Sequence, residues 1–309
     1  MTSARAWAEL LRISALFTVP GDALAGAAAT RTAPNRGTAL AVGASLCLYE
    51  AGMALNDWAD RDLDAVERPG RPLPSGRVTP AAALTAATGL TCAGLACAAL
   101  AGRRALATAA ALAGTVWAYD LGLKNTPAGP YTMATARALD LLLGATATYA
   151  PATRQALAPS ALLGAHTLAV TAVSRHEAQG GSSKAPLAAL ATATTIAWTA
   201  APRVPAPAAT RAAAPSRARA ASPRPGGALR GLPSAALAAT YLATAARPLA
   251  HAALNPSPYL LQRAVGGGIR AMIPLQAVLA SRAGAGRVGA GLLALMPVAR
   301  RLSRKVSPT

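Results

Sequence analysis

Residues 56–77, NDWADRDLDAVERPGRPLPSGR, gather four aspartates, one glutamate and four arginines in a chain where charge is otherwise sparse. If the preceding helix runs on to residue 66, a turn of about 100° per residue sets Asn56, Asp60 and Asp64 on one stripe. Asp57 then lies on its shoulder and Asp62 points away. Carboxylates this close repel one another, so holding them ionised needs a counter-cation. Hard oxygen ligands in an incomplete cage suit Mg2+, which keeps waters and takes further ligands from substrate phosphates. Just downstream, Arg68, Arg71 and Arg77 stand among prolines that end the helix and stiffen the loop. Guanidinium groups grip phosphate oxygens in pairs, and Ser75-Gly76 offers a hydroxyl and a close backbone approach. The set suits a diphosphate bridged by Mg2+. The plainer reading is a solvated loop whose charges cancel. Against it, five of the chain's eleven acids fall between positions 57 and 67, at helix spacing beside an apolar block.

The elements that must position these residues are membrane helices. The chain has 309 residues, 53% hydrophobic and 13% charged, about half the charge of a soluble domain. Its apolar residues come in blocks long enough to cross about 30 Å of hydrocarbon. The blocks lie at 11–30, 38–55, 80–101, 104–121, 131–150, 157–174, 186–202, 231–250 and 268–299, the last being either two helices or one broken one. This predicts an all-α, polytopic membrane bundle of about nine transmembrane helices. A cytoplasmic N-terminus places the connections 56–79, 122–130, 175–185 and 251–267 on one side, where Arg and Lys are expected. Two basic stretches, 203–230 with six arginines and no acid, and the C-terminal RRLSRK, fall on the other side. The first, rich in Pro, Ala and Arg, reads as a flexible linker within one 1–309 domain. The N-terminal MTSARAWAELLRISALF reads as an amphipathic lead-in to a retained first helix.

The net charge of +19 does not point to nucleic acid. The arginines lie between apolar blocks, as topology signals and headgroup contacts do, and few aromatics interleave them to stack on bases. Cys47, Cys92 and Cys97 sit in apolar blocks without metal-ligand spacing and read as buried thiols.

NDWADRDLDAVERPGRPLPSG resembles the NDxxDxxxD signature and following arginine-proline run of the UbiA superfamily of intramembrane prenyltransferases. The likeness continues in YDLGLKNTPAGP at 119–130. More narrowly, YDLGLKNTP, RALDLLLG and SRHEAQGG are similar to an EboC-like actinobacterial branch whose acceptors are poorly defined. The resemblance implies a bundle of nine helices around a cavity open to the membrane, and Mg2+-dependent transfer of a prenyl group from an allylic prenyl diphosphate to an acceptor. It further implies that Asp57, Asp60 and Asp64 take Mg2+ on the diphosphate, with Asn56 orienting them. Arg68 and Arg71 fall where basic residues hold the diphosphate, and Tyr119 and Lys124 fall where the family places a tyrosine and lysine near it. The expected localisation is the cell membrane, multi-pass, with the active-site loops cytoplasmic.

One motif departs from that pattern. The family's second acidic pair, after the sixth helix, corresponds here to SRHEAQGGSSK. Glu177 alone supplies a carboxylate as metal ligand and substrate contact, and Gly181 stands in place of the second acid. His176, Gln179 or Lys184 are the residues left to complete the site. A non-catalytic transporter or binding protein for a phosphorylated isoprenoid lipid is the competing reading. A CDP-alcohol phosphotransferase is not, because its DGxxAR…GxxxDxxxD order is missing.

Elsewhere, Asp22 and Asp140 lie inside apolar spans, where a charge costs at least about 2.5 kcal/mol, so each faces the cavity or pairs internally. Arg137, one turn from Asp140, pairs with it or serves the acceptor. His166 reads as a packing histidine, and His251 either lines the cavity or caps a helix. The glycines at 266–268 lack the strand-to-helix context of a dinucleotide site.

Overall fold

The computed structural model describes residues 3–13, 18–201 and 227–294. Among them every regular element is helical. In chain order these are α1 (Ser3–Leu10), α2 (Val19–Ala29), α3 (Arg36–Ala59), α4 (Arg61–Glu67), α5 (Pro80–Ala101), α6 (Arg103–Ala118), α7 (Gly129–Tyr149), α8 (Leu157–Ser174), α9 (Lys184–Ala200), α10 (Gly227–Leu254) and α11 (Pro258–Arg282). Local chemistry starts several of them. Asn35 and Thr38 form a reciprocal cap on α3, and Thr79 accepts from the Ala82 N–H ahead of Pro80 in α5. Pro130 likewise opens α7 at a position that has no N–H to satisfy.

Among the described residues, five helical runs are long and apolar enough to cross a membrane: 36–59, 80–101, 103–123, 129–174 and 258–282. The fourth breaks where Tyr149 leaves helical geometry (φ −155°, ψ 87°) and a 3-10 turn follows, so it folds into α7 and α8, which pack together. Each of the nine apolar blocks contains a helix, but α9 has only 17 residues and the described part of α2 only 11. The ninth block differs from expectation. Its helix, α11, starts at Pro258 and ends at Arg282, and a turn with Gly284 at φ +94° precedes a further helical stretch over 286–294. The 203–230 linker lies largely outside the described residues, except that 227–230 already belong to α10.

Among the described residues, two large apolar clusters make up most of the core, with two smaller ones near the acid-rich end. One joins residues of α2, α7, α8, α9, α10 and α11; the other joins α2, α3, α5, α6 and α7. Helices α2 and α7 contribute to both, so their crossing is the seam of the fold. Lipid supplies no hydrophobic drive between helices, and small residues that let backbones touch take its place. Here a Cβ on Gly26 would lie 1.8 Å from the Leu141 carbonyl oxygen, and one on Gly144 would lie 2.0 Å from that of Ala23. Gly144→Val is therefore expected to abolish recovery of monodisperse protein in detergent, measured by size exclusion. The same change at Gly114, whose added Cβ meets nothing within 4 Å, is expected to be tolerated.

The connections expected on one side do meet. Lys124 reaches Asp60, Arg175 donates to the Thr126 carbonyl, and the Gly181 N–H donates to the Pro256 carbonyl. The opposite end has its own ties, including Asn35 Nδ2 to the Thr148 carbonyl and Arg104 to the Ala150 carbonyl. The acid-rich segment therefore sits at the end of the bundle where four inter-helix connections converge.

Candidate active site

Helix α3 carries Asn56 and Asp57 past the apolar core and stops at Asp60 (φ −90°, ψ 2°), where the chain turns into α4. That break corrects the single stripe expected of a continuous helix. Asn56 and Asp60 face the segment after α6, whereas Asp64 turns back towards Asp57. Each carboxylate of the set meets a cation, and Asp57 and Asp64 share Arg71. Asp57, 5% exposed, meets Arg12 at 3.1 Å and Arg71 at 3.6 Å. Asp64, 2% exposed, meets Arg71 at 2.5 Å and Arg68 at 3.8 Å. Asp60 meets Lys124 Nζ at 2.6 Å, out of line for a directed hydrogen bond. Asn56 donates to Asp120 Oδ1 at 3.0 Å. Asp62 is exposed and pairs with its neighbour Arg61 at 3.6 Å, as its outward place on the helix predicts.

Two of these residues escaped the sequence reading. Arg12 stands at the start of the first apolar block and is held at φ +47°, a left-handed conformation uncommon for arginine, with its guanidinium on Asp57. Asp120 sits next to Tyr119 in a π-helical turn, Tyr119–Leu123, a rare geometry that recurs at functional sites. A buried acid between two motif residues was the available signal.

Arg77 and Ser75 do something other than face a phosphate. Arg77 forms a two-pronged pair with Glu9 of α1, at 2.8 and 3.2 Å, and donates to the Gly70 carbonyl. Its guanidinium is held further into the charged form by Glu9. Ser75 Oγ donates to the Arg71 carbonyl at 2.6 Å. Both fold the loop that delivers Arg71. Arg77→Ala is expected to cost at most about 1 kcal/mol of thermal stability in detergent, since its pair is part-exposed.

On the facing connection, Glu177 is half-buried, with Arg68 as its electrostatic neighbour. Burial raises its carboxyl above the usual value and Arg68 pulls it partly back. Gly181 has φ +86° and Gly180 φ +73°, and a Cβ on Gly180 would lie 2.8 Å from the Pro256 carbonyl oxygen. The left-handed backbone there favours glycine over an acid. Gln179 and Lys184 are exposed and His176 half-buried.

Below the acids lies a cavity of about 300 Å³ lined by Asn56, Tyr119, Asp120 and Arg12, and also by Ser45 and Asp140. From Asn56 to Ser45 is eleven positions of α3, or about 16 Å at 1.5 Å per residue. A second cavity of about 300 Å³ is lined by Trp58, Asp60, Arg61, Asp120 and Lys124. Asp120 is thus shared between the deep cavity and the outer pocket.

Other expectations resolve in the core. Arg137 pairs with Asp22 across the α2–α7 seam rather than with Asp140 one turn away, because Asp140 is taken by Ser45 Oγ at 2.7 Å. His166 is a packing residue bonded to Tyr241 Oη at 3.0 Å and the Gly268 carbonyl at 2.9 Å. His251 is exposed and does not line the deep cavity. Glycines 266–268 lie inside α11, where Gly268 packs on Val170 and Gly267 on Pro248.

As oxygen donors the acids fit Mg2+, but not as a finished cage: among the described residues no three acid or imidazole groups cluster tightly enough to hold an ion. The observation that favours a metal is the cation on every carboxylate of the set, with Arg12 and Arg71 both near Asp57 Oδ1. Positive charge arriving with a diphosphate would find acids at the pocket and free the arginines for phosphate oxygens.

Apolar membrane-crossing helices and a charged mouth above an internal cavity define a multi-pass membrane protein. The chain belongs to the UbiA prenyltransferase family, whose model matches residues 14–255. It is 38% identical over 128 residues to digeranylgeranylglyceryl phosphate synthase of Methanopyrus kandleri, covering 40% of this chain and 45% of that one. The chain thus matches less than half the length of that curated relative. Its fold is similar to a UbiA homologue from Aeropyrum pernix K1 (TM-score 0.62, 18% identity, 85% of this chain and 96% of that one). It is also similar to a UbiA homologue from Archaeoglobus fulgidus bound to GPP and Mg2+ (TM-score 0.53, 16% identity, 89% and 99%).

Proposed function

We propose that the protein is a Mg2+-dependent prenyltransferase that moves a prenyl group from an allylic prenyl diphosphate to a small or amphipathic acceptor. The observation that carries this reading is the charge-alternating set Asp57–Arg71–Asp64 and Asp60–Lys124 directly above a membrane-embedded cavity. Asp57, Asp60 and Asp64 would hold Mg2+ brought by the diphosphate, with Glu177 opposite. The metal supplies charge stabilisation to the departing diphosphate.

The chain's own groups do the rest. Arg71, Arg68, Arg12 and Lys124 exchange carboxylate partners for phosphate oxygens, where negative charge grows as the C1–O bond breaks. Asn56 orients the acids through its bond to Asp120. Tyr119 lines the cavity beside the diphosphate position. The apolar wall of Leu48, Met53, Leu112 and Val116 keeps water from the allylic cation. The acceptor's nucleophile then bonds to C1 and releases its proton.

Similarity to digeranylgeranylglyceryl phosphate synthase supports a lipid acceptor. The motifs RALDLLLG and SRHEAQGG support the narrower EboC-like assignment, which leaves a cyclitol, sugar-like or quinone-like acceptor open. The same reading makes residues 1–309 one transmembrane domain in the cell membrane, with the converging connections cytoplasmic.

The test is diphosphate release by detergent-purified protein supplied with geranyl diphosphate, Mg2+ and a lipid extract as acceptor source. Release that EDTA abolishes and Mg2+ restores supports transfer. A carrier, the reading that the single carboxylate Glu177 favours, binds the donor and releases none. Glu177→Gln is expected to raise the Mg2+ concentration for half-maximal release by about tenfold while leaving thermal stability unchanged. An unaltered Mg2+ requirement would remove Glu177 from the site.

A further inference from the structure

Asp120 is an acid at membrane depth, where a carboxylate is costly and marks a functional site, yet the transfer scheme gives it no step. Its two oxygens differ. Oδ1 accepts from Asn56 Nδ2 at 3.0 Å, a bond that fixes the plane of the carboxylate. Among the described residues Oδ2 meets no donor, and it is not sealed in: it keeps accessible surface on the cavity side, 3.9 Å from the point that a Cβ on Gly52 of the cavity wall would occupy. Asp120 is also the residue that the two cavities share. The deep one has it beside Met53 and Val116, the outer one beside Asp60 and Lys124. A prenyl diphosphate with its charged group at Asp60 and Lys124 and its tail among the apolar side chains passes from one to the other at Asp120. The carbon at that passage is C1, where the bond to diphosphate breaks. The π-helical turn Tyr119–Leu123, closed by the Lys124 N–H on the Tyr119 carbonyl at 2.9 Å, holds the carboxylate there.

We propose that Asp120 is a catalytic base of the transfer, with Oδ2 taking the proton of the acceptor's nucleophile as that atom bonds to C1. The nucleophile's electron pair forms the new bond, and the C1–O bond breaks with its pair leaving on the diphosphate. The proton passes to Oδ2 and makes Asp120 a neutral acid. Because Asp120 also borders the polar outer pocket, that proton returns to water without crossing the apolar chamber. The inference rests on the transferase reading and adds to it the destination of the proton. The rival destination is an oxygen of the departing diphosphate.

The experiment compares purified wild type, Asp120→Asn and Asp120→Ala, supplied with geranyl diphosphate, Mg2+ and a lipid extract as acceptor source. Donor binding, Mg2+ requirement and prenylated product are measured on each. Asparagine keeps the shape of the side chain and a carbonyl for Asn56, so the orienting bond survives and proton acceptance alone is lost. Asp120→Asn is therefore expected to bind donor as wild type does and to form product about a hundredfold more slowly. Added formate is expected to restore part of the transfer to Asp120→Ala, where the missing carboxylate leaves room, and none to Asp120→Asn. Product formation by Asp120→Asn within about threefold of wild type gives the proton to the diphosphate and overturns the proposal. Donor binding lost in step with transfer makes Asp120 a structural support and overturns it too. So does transfer recovered at high Mg2+, which makes Asp120 a metal ligand. A wild type that binds donor and releases no diphosphate refutes the transferase reading itself, a result that concerns no Asp120 variant.

Discussion

Changing Asp57 and Asp60 together to Asn is expected to lower geranyl diphosphate turnover by about a thousandfold or more. The two side chains keep their shape but lose the charge that holds Arg12 and Lys124 now and that would hold metal once the donor is bound. Each neutralised acid strips the departing diphosphate of one organised positive group, and losses of this kind are large where water is excluded. Diphosphate release measures the effect. Comparable melting temperatures in detergent confirm that folding is intact, because Arg71 still joins the acid-rich segment through Asp64. A double variant with full turnover would overturn the assignment of the acids.

The second large effect concerns stability. Among the described residues, Arg71 is the one cation that touches both Asp57 and Asp64, and both carboxylates are buried. Removing one partner of a buried pair leaves a charge without compensation, which costs about 3–5 kcal/mol. Arg71→Ala is expected to show a loss near the lower end of that range, because Arg12 still meets Asp57 and Arg68 lies 3.8 Å from Asp64. Arg71→Lys restores charge but not the planar fork, and is expected to recover part of the stability and little of the donor affinity. Thermal unfolding in detergent reads the first quantity and donor titration the second. A loss below about 1 kcal/mol, the value of an exposed surface pair, would show that Arg71 does not hold the two acids together.

Local features of the site were legible because they follow from periodicity. The helical approach to Asn56 and Asp57, the outward position of Asp62 and the proline-stiffened loop all depend on neighbours in the chain. The partners were not legible, because they come from far away: Arg12 lies 45 positions before Asp57, and Asp120 lies 64 after Asn56. The same limit explains Arg137. One-turn spacing suggested Asp140, but the crossing of α2 on α7 offered Asp22, 115 positions away. That crossing turns on Gly26 and Gly144, two glycines among the 27 of the chain, which nothing in a linear, alanine-rich pattern singles out. Gly181 was visible as the missing acid, but the left-handed backbone that favours glycine there needed coordinates.

The central claim, that this chain joins a prenyl group to an acceptor, is tested most directly by mass spectrometry of lipid extracts. Cells carrying the wild-type protein are compared with cells lacking it and with cells carrying the Asp57→Asn, Asp60→Asn double variant. The account predicts one prenylated species present only with the wild type. Identical lipid profiles in all three would contradict it.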